Sequence, residues 1–148
     1  MDISTLVTLD NKALQRKFLD LTDHPAIADA DWRAHVNQLL WEILATEETK
    51  SEIVYLPLFK KRYLVDDLQE LEAKVDRLED AAERIISINT LDERWSDWVK
   101  VARNTLVEKN EFEENFYFKL KSELTSAERA QMAGEYERCL SPLHGRVA

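Results

Sequence analysis

The chain has 148 residues, 45% of them hydrophobic and 33% charged, which is typical of one globular domain that buries its own core. Two glycines and three prolines are too few for the turns of an all-β or α/β fold, and the single cysteine excludes a disulfide framework or a multi-thiolate zinc site. The net charge of −9 argues against a nucleic-acid partner, because such proteins need a basic surface.

No part of the sequence is similar to a targeting or membrane-spanning segment. Residues 1–4 (MDIS) lack the basic start of a signal peptide. No stretch reaches the roughly 20 apolar residues that a membrane span needs. We therefore expect a soluble, cytoplasmic protein that forms one domain over residues 1–148 and has no membrane partner.

Apolar residues recur at helical spacing from the start of the chain. A first helix is predicted over about residues 9–21, and the proline that follows ends it. A second helix is predicted over about residues 29–62, with Asp29 or Asp31 as its N-cap. Pro57 should kink this second helix near its end.

A third helix is predicted over residues 64–86. Its periodicity is the strongest in the chain, because apolar residues alternate at spacings of four and three without a break. A fourth helix is predicted over about residues 91–123. A short fifth helix opens at Ser126, points Cys139 inward and stops at Ser141-Pro142, so that residues 141–148 form a frayed tail. The predicted fold is all-α, an antiparallel four-helix bundle with a short additional C-terminal helix packed outside.

Polar residues interrupt the apolar stripes of three of the four long helices at one depth. A lone buried charge costs several kcal/mol, so these residues must pair with one another or line a hydrated cavity. The third helix carries Leu68 at this depth. The interrupting residues are Asn11 on the first helix, Glu47 and Ser51 on the second, and Lys109 and Glu113 on the fourth. The stripes leave open whether Lys50 or Ser51, and whether Phe112 or Glu113, faces inward.

This polar layer has two main interpretations, besides a splaying of the second and fourth helices that brings the charges to water and an error in the assigned helix register. In the first, Glu47 or Glu113 forms a structural salt bridge with Lys109 that closes the interior. In the second, the layer lines a binding or reactive pocket, since bundles build their sites from polar groups on facing helices.

Several segments resemble the signature motifs of the hemerythrin-like (HHE) domain family. Residues 39–44 (LLWEIL) and 52–57 (EIVYLP) are similar to its His-x-x-x-Glu-Glu…Leu-Tyr-Pro motif on the second helix. Residues 113–120 (EENFYFKL) and 124–128 (LTSAE) are similar to the second copy of that motif and to the capped terminal helix. The resemblance covers nearly the whole chain and implies a helical bundle with a di-iron centre for oxygen binding, iron handling or redox sensing.

The metal ligands of that family do not carry over to this chain. The first-helix histidine corresponds to Asn11, and the third-helix histidine corresponds to Leu68. The second-helix His-x-x-x-Glu, counted back from the proline, corresponds to Glu47 and Ser51.

The fourth-helix ligand pair has two possible alignments. It falls on Lys109 and Glu113 if the two adjacent glutamates are the acidic pair of the motif. It falls on Glu108 and Phe112 if the count starts from the proline-like position. Helix periodicity favours Lys109.

The ligand positions implied by the resemblance are therefore the residues that interrupt the stripes, and no histidine is among them. Borderline metals prefer imidazole, and Lys109 would repel a cation. His24 lies in a joint, His35 lacks a carboxylate at the family's spacing, and His144 lies in the tail. We expect neither a metal ion nor a cofactor.

We expect the former metal cavity to serve as a pocket for a small organic molecule. An interior Glu and Lys are suited to acid/base chemistry in a cofactor-independent isomerase, cyclase or dehydratase. The alternative is a non-catalytic interaction or regulatory module closed by a Glu–Lys salt bridge, and a carboxylate-bound metal or oxygen-binding protein ranks third. The predicted acid/base residues are Glu47 and Lys109, and the predicted pocket residues are Asn11, Ser51, Leu68, Phe112 and Glu113.

Overall fold

The computed structural model describes residues 1–23, 30–88 and 92–144, and for residues 141–144 it describes the backbone alone. These ranges are helical almost throughout and contain no strand. The elements are α1 (Ile3–Asp23), α2 (Ala30–Lys50), a π-helical turn (Ser51–Tyr55), α3 (Leu56–Lys60), α4 (Val65–Ser87), α5 (Arg94–Glu123) and α6 (Ser126–His144). The prediction of an all-α fold is confirmed.

Helix α1 begins at Ile3, nearly two turns before the predicted start. The reason is a cap that periodicity alone did not reveal: the Ser4 backbone N–H donates to Asp2 Oδ1 at 2.8 Å. Ile3 and Leu6 are buried, so this first turn also packs against the core.

The second helical segment is continuous from α2 through the π turn into α3. Pro57 lies in the first turn of α3, directly after the π turn. A proline has no N–H to donate and its ring crowds the preceding turn, so widening that turn relieves the conflict. The Leu56 N–H accordingly bonds the Ser51 carbonyl, five residues back. The expected distortion at Pro57 is thus a π turn over Ser51–Tyr55.

Three other boundaries differ from the sequence prediction. Asp31 lies inside the first turn of α2, and the alternative cap Asp29 lies outside the described residues. Helix α5 begins at Arg94. Helix α6 has 19 residues and continues past Pro142 to residue 144. The fixed φ of proline is compatible with a helix, although proline has no backbone N–H to donate. The predicted frayed tail at 141–144 is therefore wrong, and residues 145–148 lie outside the described part.

Helix α6 starts with a capping box in which Thr125 and Glu128 exchange hydrogen bonds, each at 3.1 Å. Its inward face carries Ala133, Tyr136 and Leu140. Cys139 is exposed, so the prediction that it faces inward is wrong. The cause is a small error in helix phase, since Cys139 adjoins the buried Leu140.

The packing brings α4 against α5, α5 against α1, α1 against α2, and α2 against α4. Helix α6 packs on α1, α2 and the π turn. Two apolar clusters result. One contains Val54, Leu71 and Phe116, and the other contains Phe18 and Leu78.

Within the described ranges, no helix is both long and apolar enough to cross a bilayer. Trp95 is buried, whereas Trp41 is 59% exposed.

Candidate functional site

Between the two apolar clusters lies a group of five buried polar side chains, here called the charge cluster: Asn11, Glu47, Lys50, Lys109 and Glu113. Lys50 Nζ donates to Glu47 Oε1 at 2.9 Å and to Glu113 Oε1 at 3.0 Å. Lys109 Nζ donates to the same two oxygens, at 2.5 and 3.1 Å. Asn11 accepts from Lys50 and donates to Glu113. Two carboxylates and two ammonium groups cancel, so the cluster is electrically neutral.

Two tyrosines extend the charge cluster toward the π turn. The Tyr55 hydroxyl donates to Glu113 Oε2, and the Tyr117 hydroxyl donates to the Tyr55 hydroxyl at 3.1 Å. Burial and the nearby Glu113 carboxylate raise the pKa of Tyr55 well above its usual value. Tyr55 therefore stays a donor, and both oxygens of Glu113 are hydrogen-bonded.

Burial and the neighbouring charges shift the pKa values of Glu113 and Lys50 in opposite directions. Burial alone would raise the pKa of Glu113, but Lys109 and Lys50, helped by Tyr55 and Asn11, hold that pKa well below its usual range. Burial alone would lower the pKa of Lys50, but Glu113 and Glu47 hold it above its usual value. The charged forms of Glu113 and Lys50 are thus the stable forms in the folded protein.

These shifts predict a plateau in the pH dependence of stability. A carboxyl whose pKa is depressed by folding stabilises the protein fully above its ordinary value of 4.5 and loses that contribution as the pH falls. A lysine whose pKa is raised contributes fully below 10.5 and loses the contribution as the pH rises. Urea unfolding of the wild type should therefore show stability falling at both ends, with Tyr55 adding to the alkaline loss.

The matched control for the plateau is the charge-balanced variant Lys50→Met/Glu113→Leu. It retains the Glu47–Lys109 pair and removes the two shifted groups. Its pH profile should be flatter at both ends, and an unchanged profile would contradict the assignment.

A groove of about 760 Å³ runs along one side of the charge cluster, between the α2–α3 segment and α4. We call it the acidic groove. Its apolar wall is formed by Trp41, Leu44, Ala45, Leu56, Phe59, Leu68, Leu71 and Val75. Its polar lining consists of Glu47, Glu48, Ser51, Tyr55, Glu72, Asp76, Glu79 and Glu83.

Two residues connect the charge cluster with the acidic groove. Glu47 belongs to the cluster and Tyr55 donates to Glu113 in it, and both residues line the groove. Glu47 is only 3% exposed, and its two oxygens differ. Oε1 accepts from Lys50 and Lys109, whereas Oε2 has no hydrogen-bond partner in the described part of the protein. A buried carboxylate oxygen without a donor is costly, so it marks a place where a ligand or water donor belongs.

The structure separates the predicted site residues into groups. Asn11, Lys109 and Glu113 lie in the closed charge cluster, while Ser51 and Leu68 line the acidic groove. Glu47 lies at the boundary between the two. Phe112 belongs to neither: it is half-buried, and Lys74 Nζ lies 5.4 Å from its ring centre.

Sequence reasoning left open whether Lys50 or Ser51 faces the interior, and it missed Tyr55 altogether. Lys50 is the interior residue, fully buried in the charge cluster. The nearest sequence signal was the three-residue spacing from Glu47 to Lys50, which places both residues on one face of an α-helix.

The cluster does not fit the di-iron centre implied by the family resemblance. Two ammonium groups contact the two carboxylates that would have to bind the metals. Among the side chains that the structure describes, no group of three or more His, Cys, Asp or Glu residues is arranged to hold a metal ion. His35 is exposed, and the side chains of His24 and His144 lie outside the description.

Comparisons with known proteins found no family model, no curated protein and no solved structure that matches the chain. The resemblance to hemerythrin-like domains therefore stays a prediction based on its motifs. The chemistry of the site has to be inferred from its own geometry.

Proposed function

We propose that this protein binds a small organic molecule in the acidic groove and that Glu47 acts on it as a proton acceptor. The observation that carries the proposal is the Glu47 carboxylate. Its Oε1 is bound by two lysines, its buried Oε2 is without a donor among the described residues, and Glu47 lines the groove. A volume of about 760 Å³ lies within the range of roughly 300–1,000 Å³ typical of small-molecule pockets.

The other members of the charge cluster have a positioning role in this proposal. Lys50 and Lys109 hold one oxygen of Glu47, which orients the other oxygen and fixes the carboxylate without a metal. Asn11 and Glu113 in turn hold the lysines. This arrangement suits a cofactor-independent acid/base enzyme such as an isomerase, cyclase or dehydratase, in which only Glu47 contacts the substrate.

We also propose a bundle type for the fold and a cellular compartment for the protein. The contacts of α1, α2, α4 and α5 around the charge cluster support an antiparallel four-helix bundle of the hemerythrin-like type, with α6 packed outside. In such a bundle the charge cluster occupies the former metal centre, and the lysines replace the metal charges. We further propose that the protein works in the cytoplasm.

A second candidate function is a non-catalytic interaction or regulatory module. It is favoured by the neutrality of the charge cluster, in which Glu113 is fully hydrogen-bonded and both lysines contact two carboxylates. In that case the cluster stabilises a unique interior and the groove has no small ligand. Binding of small molecules in the groove, and its loss in Ala45→Trp, separates the two candidates.

The proposed function predicts that small molecules bind in the groove and exchange protons with Glu47. A panel of cationic, neutral and anionic compounds, screened by protein NMR, should yield ligands that shift the Trp41 indole signal. Filling the groove with Ala45→Trp should abolish those shifts. The matched control Ala34→Trp, at an exposed position on the same helix outside the groove lining, should leave them intact.

Proton transfer is measured separately, as exchange of acidic C–H positions of a bound ligand in D₂O. The charge-balanced variant Glu47→Gln/Lys109→Met should slow that exchange by about 10²–10⁴-fold, the usual contribution of a general base. If the whole panel fails to bind, or if binding survives Ala45→Trp, the interaction module becomes the better explanation.

A further inference from the structure

The acidic groove carries charge of one sign. Among the residues that the structure describes, six that line the groove are carboxylates: Glu47 and Glu48 on α2, and Glu72, Asp76, Glu79 and Glu83 on α4. The described lining includes no lysine, arginine or histidine. The lysines behind Glu47 balance the charges of Glu47 and Glu113 within the charge cluster, so the negative charge of the groove comes from its other five carboxylates.

The α4 carboxylates recur at spacings of four, three and four residues, which places them on one face of the helix. Burial raises the pKa of Glu79, and the charges of Asp76, Glu83, Glu47 and Glu48 raise it further. The carboxylates of α2 and α4 therefore repel one another across the groove. A bound cation relieves this repulsion, whereas an anion increases it.

The same groove exposes large apolar side chains. Trp41 is 59% exposed, Leu56 50% and Phe59 45%. Such residues gathered in one concave surface mark a binding site for an apolar group. Trp41 also offers an indole face, the aromatic surface that binds organic ammonium ions best.

The position of Glu47 supplies the anchor. Its Oε2 is buried and has no donor among the described residues, and Glu47 lines the groove. An ammonium N–H satisfies this oxygen with a charge-assisted hydrogen bond, which is stronger than a bond from a neutral hydroxyl. A bare metal ion would leave the apolar wall without a role.

We infer that the ligand of the acidic groove is a small organic cation, namely a protonated amine attached to an apolar or aromatic body. The ammonium group donates to Glu47 Oε2 beside the α4 carboxylates, and the apolar body packs against Trp41 and the neighbouring apolar wall. This inference rests on the proposed function, because it specifies the ligand of the groove proposed there.

The test compares three probes of similar shape and different charge by isothermal titration calorimetry at pH 7 and low salt. They are 2-phenylethylammonium, the neutral 2-phenylethanol and the anionic 3-phenylpropanoate. The ammonium probe should bind about tenfold or more tightly than the alcohol, because a charge-assisted hydrogen bond replaces a neutral one. The carboxylate probe should show no binding, and added salt should weaken the binding of the ammonium probe.

Variants locate the effect in the groove. Glu79→Gln should weaken binding of the ammonium probe several-fold, whereas Glu70→Gln, an exposed α4 position outside the groove lining, should leave it unchanged. The charge-balanced variant Glu47→Gln/Lys109→Met should remove the preference for the ammonium probe over the alcohol. It keeps the Lys50–Glu113 pair, so it does not leave an unbalanced buried charge.

Equal or tighter binding of the alcohol or the carboxylate would overturn the inference while leaving the proposed pocket in place. No detectable binding of the ammonium probe at millimolar concentration would overturn it as well. The proposed function fails on a different result, which is the failure of the complete panel or its insensitivity to Ala45→Trp.

Discussion

Replacing Lys109 with Met lowers the free energy of unfolding by about 3–5 kcal/mol, because it leaves an uncompensated buried negative charge. Lys109 is fully buried and contacts both Glu47 and Glu113. Without it, two carboxylates share the single ammonium group of Lys50. A loss of this size is a large part of the roughly 5–15 kcal/mol that stabilises a typical domain.

A second substitution should restore the stability that Lys109→Met removes. Adding Glu47→Leu to Lys109→Met leaves Lys50 paired with Glu113 and restores neutrality, so most of the lost stability should return. Urea unfolding of the wild type, both single variants and the double variant gives the coupling energy directly. Additive losses in the double variant would mean that Glu47 and Lys109 are not partners.

The control is an ion pair on the surface. Arg16 and Asp20 lie 3.9 Å apart with side chains that are 85% and 73% exposed. Exposed pairs at this spacing contribute about 0.3–0.5 kcal/mol, so Arg16→Met should change stability little. A comparable loss in Arg16→Met and Lys109→Met would show that burial of the cluster is not the cause.

Replacing Phe18 with Ala should also cost about 3–5 kcal/mol, for a different reason. Phe18 is fully buried on α1, in the apolar cluster that also contains Leu40, Leu78 and Ile85. The charge cluster separates this half of the core from the other half. Since a close-packed interior relaxes only partly around a deleted side chain, the cavity left by the ring should remain.

The matched control for Phe18→Ala is Leu9→Ala on the same helix, where the side chain is 53% exposed. It should change stability by no more than about 0.5 kcal/mol, as surface substitutions usually do. Chemical denaturation of both variants checks the difference. Similar losses in the two would show that Phe18 is not in a closed core.

Much of the helical architecture follows from local sequence. The unbroken stripe from Leu68 to Ile85 predicted α4, because the burial of one face every three or four residues is a local property. The same reasoning identified Asn11, Glu47 and Lys109 as buried polar residues, since each interrupts an otherwise apolar stripe. Caps were harder to locate, and Asp2 was missed because the first helix was predicted to begin only at about residue 9.

The sequence did not predict which side chains those buried residues contact. Periodicity states which face of a helix is buried, but not which side chain on another helix lies opposite. Lys50 enters the charge cluster because the packing of α2 against α1 brings it to Asn11 and its side chain reaches Glu113 on α5.

The sequence by itself therefore determined the helices and the polar layer, because both depend on residues close together along the chain. The tertiary structure alone decided that the layer is closed and neutral, and that the open space lies beside it. That outcome depends on distances between side chains as far apart in sequence as Glu47 and Lys109. It also decided that Glu47 Oε2 has no hydrogen-bond donor among the described residues, because the donors that reach a side chain depend on three-dimensional packing.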